Sequence, residues 1–459
     1  MEPYYKGALV LPGLLLSCRE GRETMSPTFI AVTAFLIVYA LIISEKVNRA
    51  IVALLGASAV IVLGILDTEK AFHEYIDWET IILLVGMMIL VGIINKTGIF
   101  QYLAVKSAKL TGGSPVRILI MLSALTALIS AFLDNVTTVL LFVPVTFSIT
   151  RMLKVDATPF LIMEAIASNI GGTATLIGDP PNIIIGSANE HLTFNDFLFN
   201  LAPVVTLIMI VVLFLVYAVY RRRMQVDQAL TAQLMEMDEK SYITDAPLMK
   251  KSLVVLALTI VGFVLHSVIH IEPAVIAITG ATLLMLIGVK EADMEKVFSY
   301  IEWQTIFFFA GLFVLVGSLQ EVGVIKMLAT ELLRVTGGDV SVAAVLILWV
   351  SGIASAFIDN IPFVATMIPL LKDMIASLGH PVDSVHAEVL WWSLSLGACL
   401  GGNGTIIGAS ANVVVAGLAA REKQGFTFWQ FMKLGMPITL ISLAISHLYL
   451  YLRYLIHLP

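Results

Sequence analysis

The sequence predicts an all-α polytopic membrane protein built from two inverted-topology repeats, each with five membrane passes, one re-entrant hairpin and a helix broken at the midplane. Three observations predict it. Apolar residues make up 59% of the 459 positions and charged residues only 13%, with a mean hydropathy of +0.95. A soluble domain carries about 25% charged residues, so this chain needs a bilayer as solvent. Next, Ser130-Ala131-Phe132-Leu133-Asp134-Asn135 recurs 225 positions later as Ser355-Ala356-Phe357-Ile358-Asp359-Asn360. Finally, basic and acidic loops alternate between the apolar windows.

Those properties exclude a water-soluble enzyme. A transmembrane β-barrel is excluded too, because its strands alternate apolar and polar residues over about 10 positions. The net charge of −6 says little about partners, and no nucleic-acid partner is expected. Cys18 and Cys399 form neither a disulfide framework nor a metal-ligand cluster, so no tightly bound metal and no cofactor are expected. The chain has no GxxxxGK[ST] motif, so any pumping draws on an ion gradient or on a separate ATPase subunit.

Taken in order, residues 1–24 read as a disordered N-terminal extension ahead of Met25. Its apolar stretch, 9–16, is short and followed by Arg19, Glu20, Arg22 and Glu23, which also suits a weak signal peptide. Residues 25–224 form the first repeat, 225–251 a polar cytoplasmic linker and 252–459 the second repeat. A helix crosses a bilayer with about 20 apolar residues. Windows at 29–43, 51–66, 81–94, 204–220, 253–268 and 438–455 meet that requirement.

Basic loops mark the cytoplasmic side. Lys46 and Arg49 read as cytoplasmic, the acidic segment 67–77 as external, and Lys96, Lys106, Lys109 and Arg117 as cytoplasmic. The stretch between Arg117 and Arg151 begins and ends on that side, so its two apolar arms around Asp134 form a hairpin entering from the cytoplasm. Residues 190–196 then lie outside, and Arg221-Arg222-Arg223 inside. Five passes reverse the second half, whose hairpin around Asp359 enters from outside, with both termini external.

The repeat is detailed. Trp78, Thr80, Gly86, Gly98 and Pro144 match Trp303, Thr305, Gly311, Gly323 and Pro369 at a spacing of 225. Beyond an insertion of five residues near 378–386 the spacing becomes 230, and Gly171, Gly172, Thr175, Gly178 and Asn182 match Gly401, Gly402, Thr405, Gly408 and Asn412.

Two constellations carry the chemistry. The first is the hairpin tips, Asp134-Asn135-Val136-Thr137 and Asp359-Asn360-Ile361-Pro362. A charge at the bilayer centre costs roughly 2.5–3.5 kcal/mol, which makes an intramembrane acid a functional-site hypothesis. Each Asp also suits an N-cap, and the two roles are compatible. The second is a pair of interrupted spans, Asn169-Ile170-Gly171-Gly172-Thr173-Ala174-Thr175-Leu176-Ile177-Gly178-Asp179-Pro180-Pro181-Asn182 and Gly401-Gly402-Asn403-Gly404-Thr405-Ile406-Ile407-Gly408-Ala409-Ser410-Ala411-Asn412. Paired interruptions in two halves point to a transporter binding site. Close packing through small residues is the bland alternative.

With these motifs the chain resembles the ion transporter superfamily, and within it the ArsB/NhaD group of arsenite efflux permeases, NhaD-type sodium/proton antiporters and the melanosomal P protein. The resemblance implies a scaffold domain and a mobile, elevator-type transport domain, often in a homodimer. Related dicarboxylate carriers have Ser-Asn-Thr at each tip, where sodium binds; here the tips read Asp134-Asn135-Val136 and Asp359-Asn360-Ile361. An acid in the serine's place favours a proton, with Na⁺ as the alternative coupling ion.

The expected function is proton-coupled export of arsenite or antimonite across the inner membrane. A Na⁺/H⁺ antiporter is the nearest rival, and an anion channel or sodium–dicarboxylate symporter lies further off. Asp134 and Asp359 are the expected coupling acids. Asn135, Thr137, Asn169, Gly171, Gly172, Thr173, Thr175, Asp179, Asn182, Asn360, Gly401, Gly402, Asn403, Thr405 and Asn412 are the expected binding residues. Asp179 suits either a third titrating acid or a cap before Pro180. Glu164, Trp303, Trp391 and Trp392 read as interfacial, His266 and His270 likewise, and Cys399 as a small apolar residue rather than an arsenic ligand.

Overall fold

Long apolar runs in a medium without water leave the backbone only itself to bond with, so helices form throughout. The computed structural model describes residues 26–44, 46–222, 224 and 228–458. The expected extension 1–24 and the start at Met25 lie outside the described residues. The first half contains α1 (Pro27–Ser44), α2 (Arg49–Val62), α3 (Trp78–Asn95), α4 (Ile99–Leu110), α5 (Pro115–Ser130), α6 (Asn135–Leu153), α7 (Thr158–Gly172), α8 (Pro180–Ser187) and α9 (Phe194–Tyr220). After α10 (Gln228–Glu236) the second half repeats the order: α11 (Ala246–Ile269), α12 (Pro273–Gly288), α13 (Trp303–Glu321), α14 (Val324–Thr336), α15 (Val340–Phe357), α16 (Asn360–Leu378), α17 (Val385–Gly401), α18 (Ser410–Arg421) and α19 (Phe428–Arg453). Among the described residues nine helices are long and apolar enough to cross a membrane.

Local signals recur with the elements. Left-handed Gly98 and Gly323, with φ of 76° and 78°, open α4 and α14. Capping boxes start the last helix of each half, Thr193 with Asp196 and Thr427 with Gln430. The five inserted residues divide between a longer loop, 379–384 against 154–157, and an earlier start of α17. The short helices α4 and α14 are amphipathic, burying Phe100 and Val105 in one and Ile325 and Ala329 in the other. Sequence reading saw only a charged loop at α4.

Packing sorts the helices into two groups. In one, α2 lies on α13, α12 on α3, α11 on α12 and α1 on α2. In the other, α5 and α6 pack on α7, α15 and α16 on α17, α18 on α6 and α8 on α16, with α9 against α19. The halves exchange equivalent contacts, as a pseudo-twofold relation requires. A Cβ on Gly86 would lie 2.7 Å from the Ala277 carbonyl carbon, and one on Gly311 2.7 Å from that of Ala53.

The linker is folded onto α4. Lys109 Nζ donates to Glu239 at 2.6 Å and to the Met237 carbonyl at 2.7 Å, and this ammonium holds the Glu239 carboxyl below its ordinary value. Thr244 donates its hydroxyl to the Lys96 carbonyl.

Three readings of single residues are corrected. Glu164 does not reach an interface: it is 1% exposed and accepts the Thr146 hydroxyl, because α7 is enclosed along its length. Trp391 and Trp392 are not interfacial anchors either, being 1% and 0% exposed inside a helix packed by α15, α16 and α19. Trp392 meets Phe197 edge-on at 5.1 Å. Trp303, by contrast, is 50% exposed.

Candidate functional site

Each hairpin turns where an Asp caps its second arm. Asp134 accepts the Thr137 amide at 3.0 Å and also the Thr137 hydroxyl. Asp359 accepts the Ile361 amide at 3.0 Å. Both carboxylates are therefore caps, and a cap can be neutral; their charge is not explained by capping.

The broken helices fold as glycine and proline dictate. Helix α7 stops at Gly172 and resumes at Pro180, whose missing amide suits a first helical turn. Helix α17 stops at Gly401 and resumes at Ser410. Gly171 lies against the Ala127 carbonyl of α5, and Gly401 against that of Gly352 in α15, so each break seats directly on a hairpin arm. The freed carbonyls are then gathered by matched amides. Asn182 Nδ2 holds Thr173 and Thr175 at 3.1 and 2.9 Å, and Asn412 Nδ2 holds Gly402 and Thr405 at 2.8 and 2.9 Å. The Thr175 and Thr405 hydroxyls donate to the hairpin carbonyls of Ala131 and Ala356.

A buried amide network joins the halves. Asn135 Nδ2 reaches Asn169 Oδ1 at 3.0 Å and Asp179 Oδ1 at 3.1 Å. Asn169 Nδ2 crosses to Asn403 Oδ1 and Asn412 Oδ1, both at 3.0 Å. Asn182 Oδ1 accepts Ser395 at 2.6 Å, with Cys399 Sγ at 3.6 Å. Asp179 lies within electrostatic reach of Asp134 and Asp359 and beside Asn360. Buried polar atoms are almost always paired, yet here one acceptor, Asn135 Oδ1, and one donor, Asn403 Nδ2, have no hydrogen-bond partner, and Asp179 Oδ2 and Asn360 Nδ2 make no well-formed bond although their side chains lie beside each other. Among the expected residues, Asn135, Asn169, Asp179, Asn403 and Asn412 meet directly; Asp134 and Asp359 reach Asp179 electrostatically. Asn169→Ala strands the Asn403 and Asn412 oxygens, at about 1–3 kcal/mol each; it should lower the melting temperature and cut transport at least about tenfold, measured on purified protein and in vesicles.

Sequence reading missed two participants, Arg49 and Glu302. Arg49 donates to Asp359 Oδ2 at 3.1 Å and to Ser410, beside a cavity of about 340 Å³ that Asn48, Asp359, Ser410 and Val414 also line. Glu302, preceding α13, is pushed up by its burial and then by Asp134, while Thr305 and Arg49 act the other way. The available signal for Glu302 was its repeat partner Asp77, 225 positions earlier and also followed by Trp. Arg49 has no basic partner in the second half, where Pro273 opens α12 as Arg49 opens α2.

Paired hairpins seated against paired broken helices, inside a bundle of membrane-length helices, define a multi-pass membrane transporter and not an enzyme. A family model described as "Citrate transporter" matches residues 39–397, and the chain belongs to that family. It is 44% identical over 430 residues to the "46 kDa membrane protein" of Mycobacterium leprae, covering 93% of this chain and 99% of that one. To the "Uncharacterized transporter Rv2684" of Mycobacterium tuberculosis it is 45% identical with the same coverage. The P protein of Homo sapiens is 36% identical, over 96% of this chain and 62% of that protein, in keeping with the P-protein resemblance read from the motifs. The crystal structure of the Alcanivorax borkumensis YdaH transporter shares the fold, with a TM-score of 0.54 at 14% identity over 93% of this chain and 98% of that one.

Proposed function

We propose that this transporter is a proton-coupled secondary active antiporter of the inner membrane that exports arsenite or antimonite by alternating access. The observation that carries the reading is an unpartnered acceptor, Asn135 Oδ1, and an unpartnered donor, Asn403 Nδ2, buried in one amide network, with the Asp179 and Asn360 side chains close by. A small neutral hydroxyl solute such as As(OH)₃ donates and accepts, so it satisfies both kinds. Citrate, the substrate in the family's description, is less suited: Asp134, Asp179, Asp359 and Glu302 surround the site, and the guanidinium of Arg49 is already paired with Asp359. Like charges in a low-dielectric interior repel strongly.

In this reading Asp134 and Asp359 load protons outside and release them inside, and the hairpin group of helices slides past the α1–α3/α11–α13 group. The loop charges orient the repeats oppositely, and a homodimer provides the fixed partner for such movement. Na⁺/H⁺ exchange is the second reading, supported by two neighbouring acceptors, Asn135 Oδ1 and Asp179 Oδ2. Everted vesicles with a preformed pH gradient separate them. As(III) or Sb(III) is expected to collapse the gradient at concentrations where Na⁺ and Li⁺ do not. A response to Na⁺ or Li⁺ alone sinks the arsenite reading and supports the second.

A further inference from the structure

Arg49 stands at the head of α2, in the opposite helix group from Asp359 and Ser410. Its guanidinium donates to Asp359 Oδ2 at 3.1 Å and to Ser410, and its Cζ lies 5.0 Å from the centre of the Phe308 ring. Ser410 Oγ donates to the same carboxylate oxygen at 2.9 Å. The first hairpin is built differently. Asp134 takes both donors of Thr137; Thr137 is matched by Pro362, which has no donor, and Pro273 opens α12 as Arg49 opens α2. Each tip thus has its own means of holding a carboxylate, and among the described residues a fixed positive charge is paired with the second alone.

We propose that Arg49 is a built-in cation for the second hairpin: it occupies Asp359 in the state seen here and is displaced when an exchangeable monovalent cation, a proton or Na⁺, binds that carboxylate. Oδ2 already takes Arg49 and Ser410, and a proton or Na⁺ on either oxygen cancels the negative charge that holds the guanidinium. Loading the site therefore breaks the one ion pair seen between α2 and the hairpin tip, which frees the hairpin group to move. The other groups facing this pair are Tyr39 from α1, Asp179 from the first break, and Glu302, which adjoins Arg49. None of these supplies a replacement positive charge. Asp134 remains the tip carboxylate with no fixed counter-ion among the described residues. The displacement step rests on the cation-coupled reading above; the contact does not.

The test needs no transported substrate. The purified full chain is melted at pH 8 in choline buffer, with Na⁺ titrated in, and separately as the pH is lowered. Wild type is expected to respond modestly, through Asp134 and Asp179. Arg49→Gln leaves Asp359 unpaired, so its melting temperature in Na⁺-free buffer at pH 8 should fall by roughly 5 °C. It should then gain more than wild type does from Na⁺ or from acid, and whichever restores it identifies the cation. Arg49→Gln/Asp359→Asn should melt near wild type and lack the extra gain. If Arg49→Gln cannot be purified, Asp359→Asn carries the comparison, because its stranded guanidinium should make it less stable than the double variant. Arg49→Gln with wild-type melting and wild-type responses overturns the proposal, as does a double variant no better than either single one. A failed vesicle assay alongside a positive melting result refutes the cargo reading and leaves the tether standing.

Discussion

Asp134→Asn should abolish proton-driven transport while changing the stability of the fold by less than about 0.5 kcal/mol. Asn and Asp are nearly equal as N-caps, so the amide of Thr137, held at 3.0 Å by the Asp134 side chain, keeps an acceptor. What the substitution removes is the titratable proton. A positioned acid or base contributes on the order of 10²–10⁴ to a proton-dependent step, and a transporter without its carrier group loses the coupling itself. The measurement pairs gradient collapse in vesicles with thermal melting of the same preparation. Coupled transport at the wild-type rate removes Asp134 from the mechanism; a collapsed fold instead shows that its cap is worth more than an Asn can replace.

The second large effect falls on the seat of the first broken helix. Gly171→Ala would place a Cβ 2.0 Å from the Ala127 carbonyl oxygen and 2.5 Å from its Cα. Both are backbone atoms, so no rotamer change relieves the clash. Overpacking of this kind costs about 3 kcal/mol or more, and the shift required would part α7 from α5 and pull Asn169 from its bonds to Asn403 and Asn412. Expression and melting temperature should both fall sharply. Gly417→Ala is the control: a Cβ there meets nothing within 4 Å, and Ala is favoured over Gly inside a helix by roughly 0.5–1 kcal/mol. Equal behaviour of the two variants would mean that the seat is looser than the geometry shows.

Much of this was legible before any coordinates. The 225-residue spacing placed Gly86 and Gly311 as equivalents, and they do make equivalent contacts. Glycine pairs followed by Pro180, or by Ala409-Ser410, marked the two breaks, because helix-breaking residues inside apolar runs have few other uses. What stayed hidden depended on neighbours distant in the chain. Arg49 follows a basic loop and reads as a topology signal; its contact lies 310 positions away. Glu164 looked interfacial because it is charged and early in its span, but burial is decided by what encloses α7, and the Thr146 hydroxyl meets it from α6. Trp391 and Trp392 have the amphipathic rings that favour interfaces, yet the helix carrying them has no interfacial face. The amide network was the least legible part, since a row of Asn residues states its capacity for hydrogen bonds without naming their partners.

That network has a consequence for synthesis. Asn169 finds its acceptors only in Asn403 and Asn412, and Asn182 receives Ser395. A ribosome adds Asn169 and Asn182 more than two hundred codons before those partners exist. Until then the Asn169 amide nitrogen and the Asn182 amide oxygen lack these partners, although Asn135, Thr173 and Thr175 already meet the other ends of the two amides. The half-made chain is thus chemically distinguishable from the finished one, and a protease or chaperone that senses exposed amides in the bilayer could tell them apart without reading any sequence.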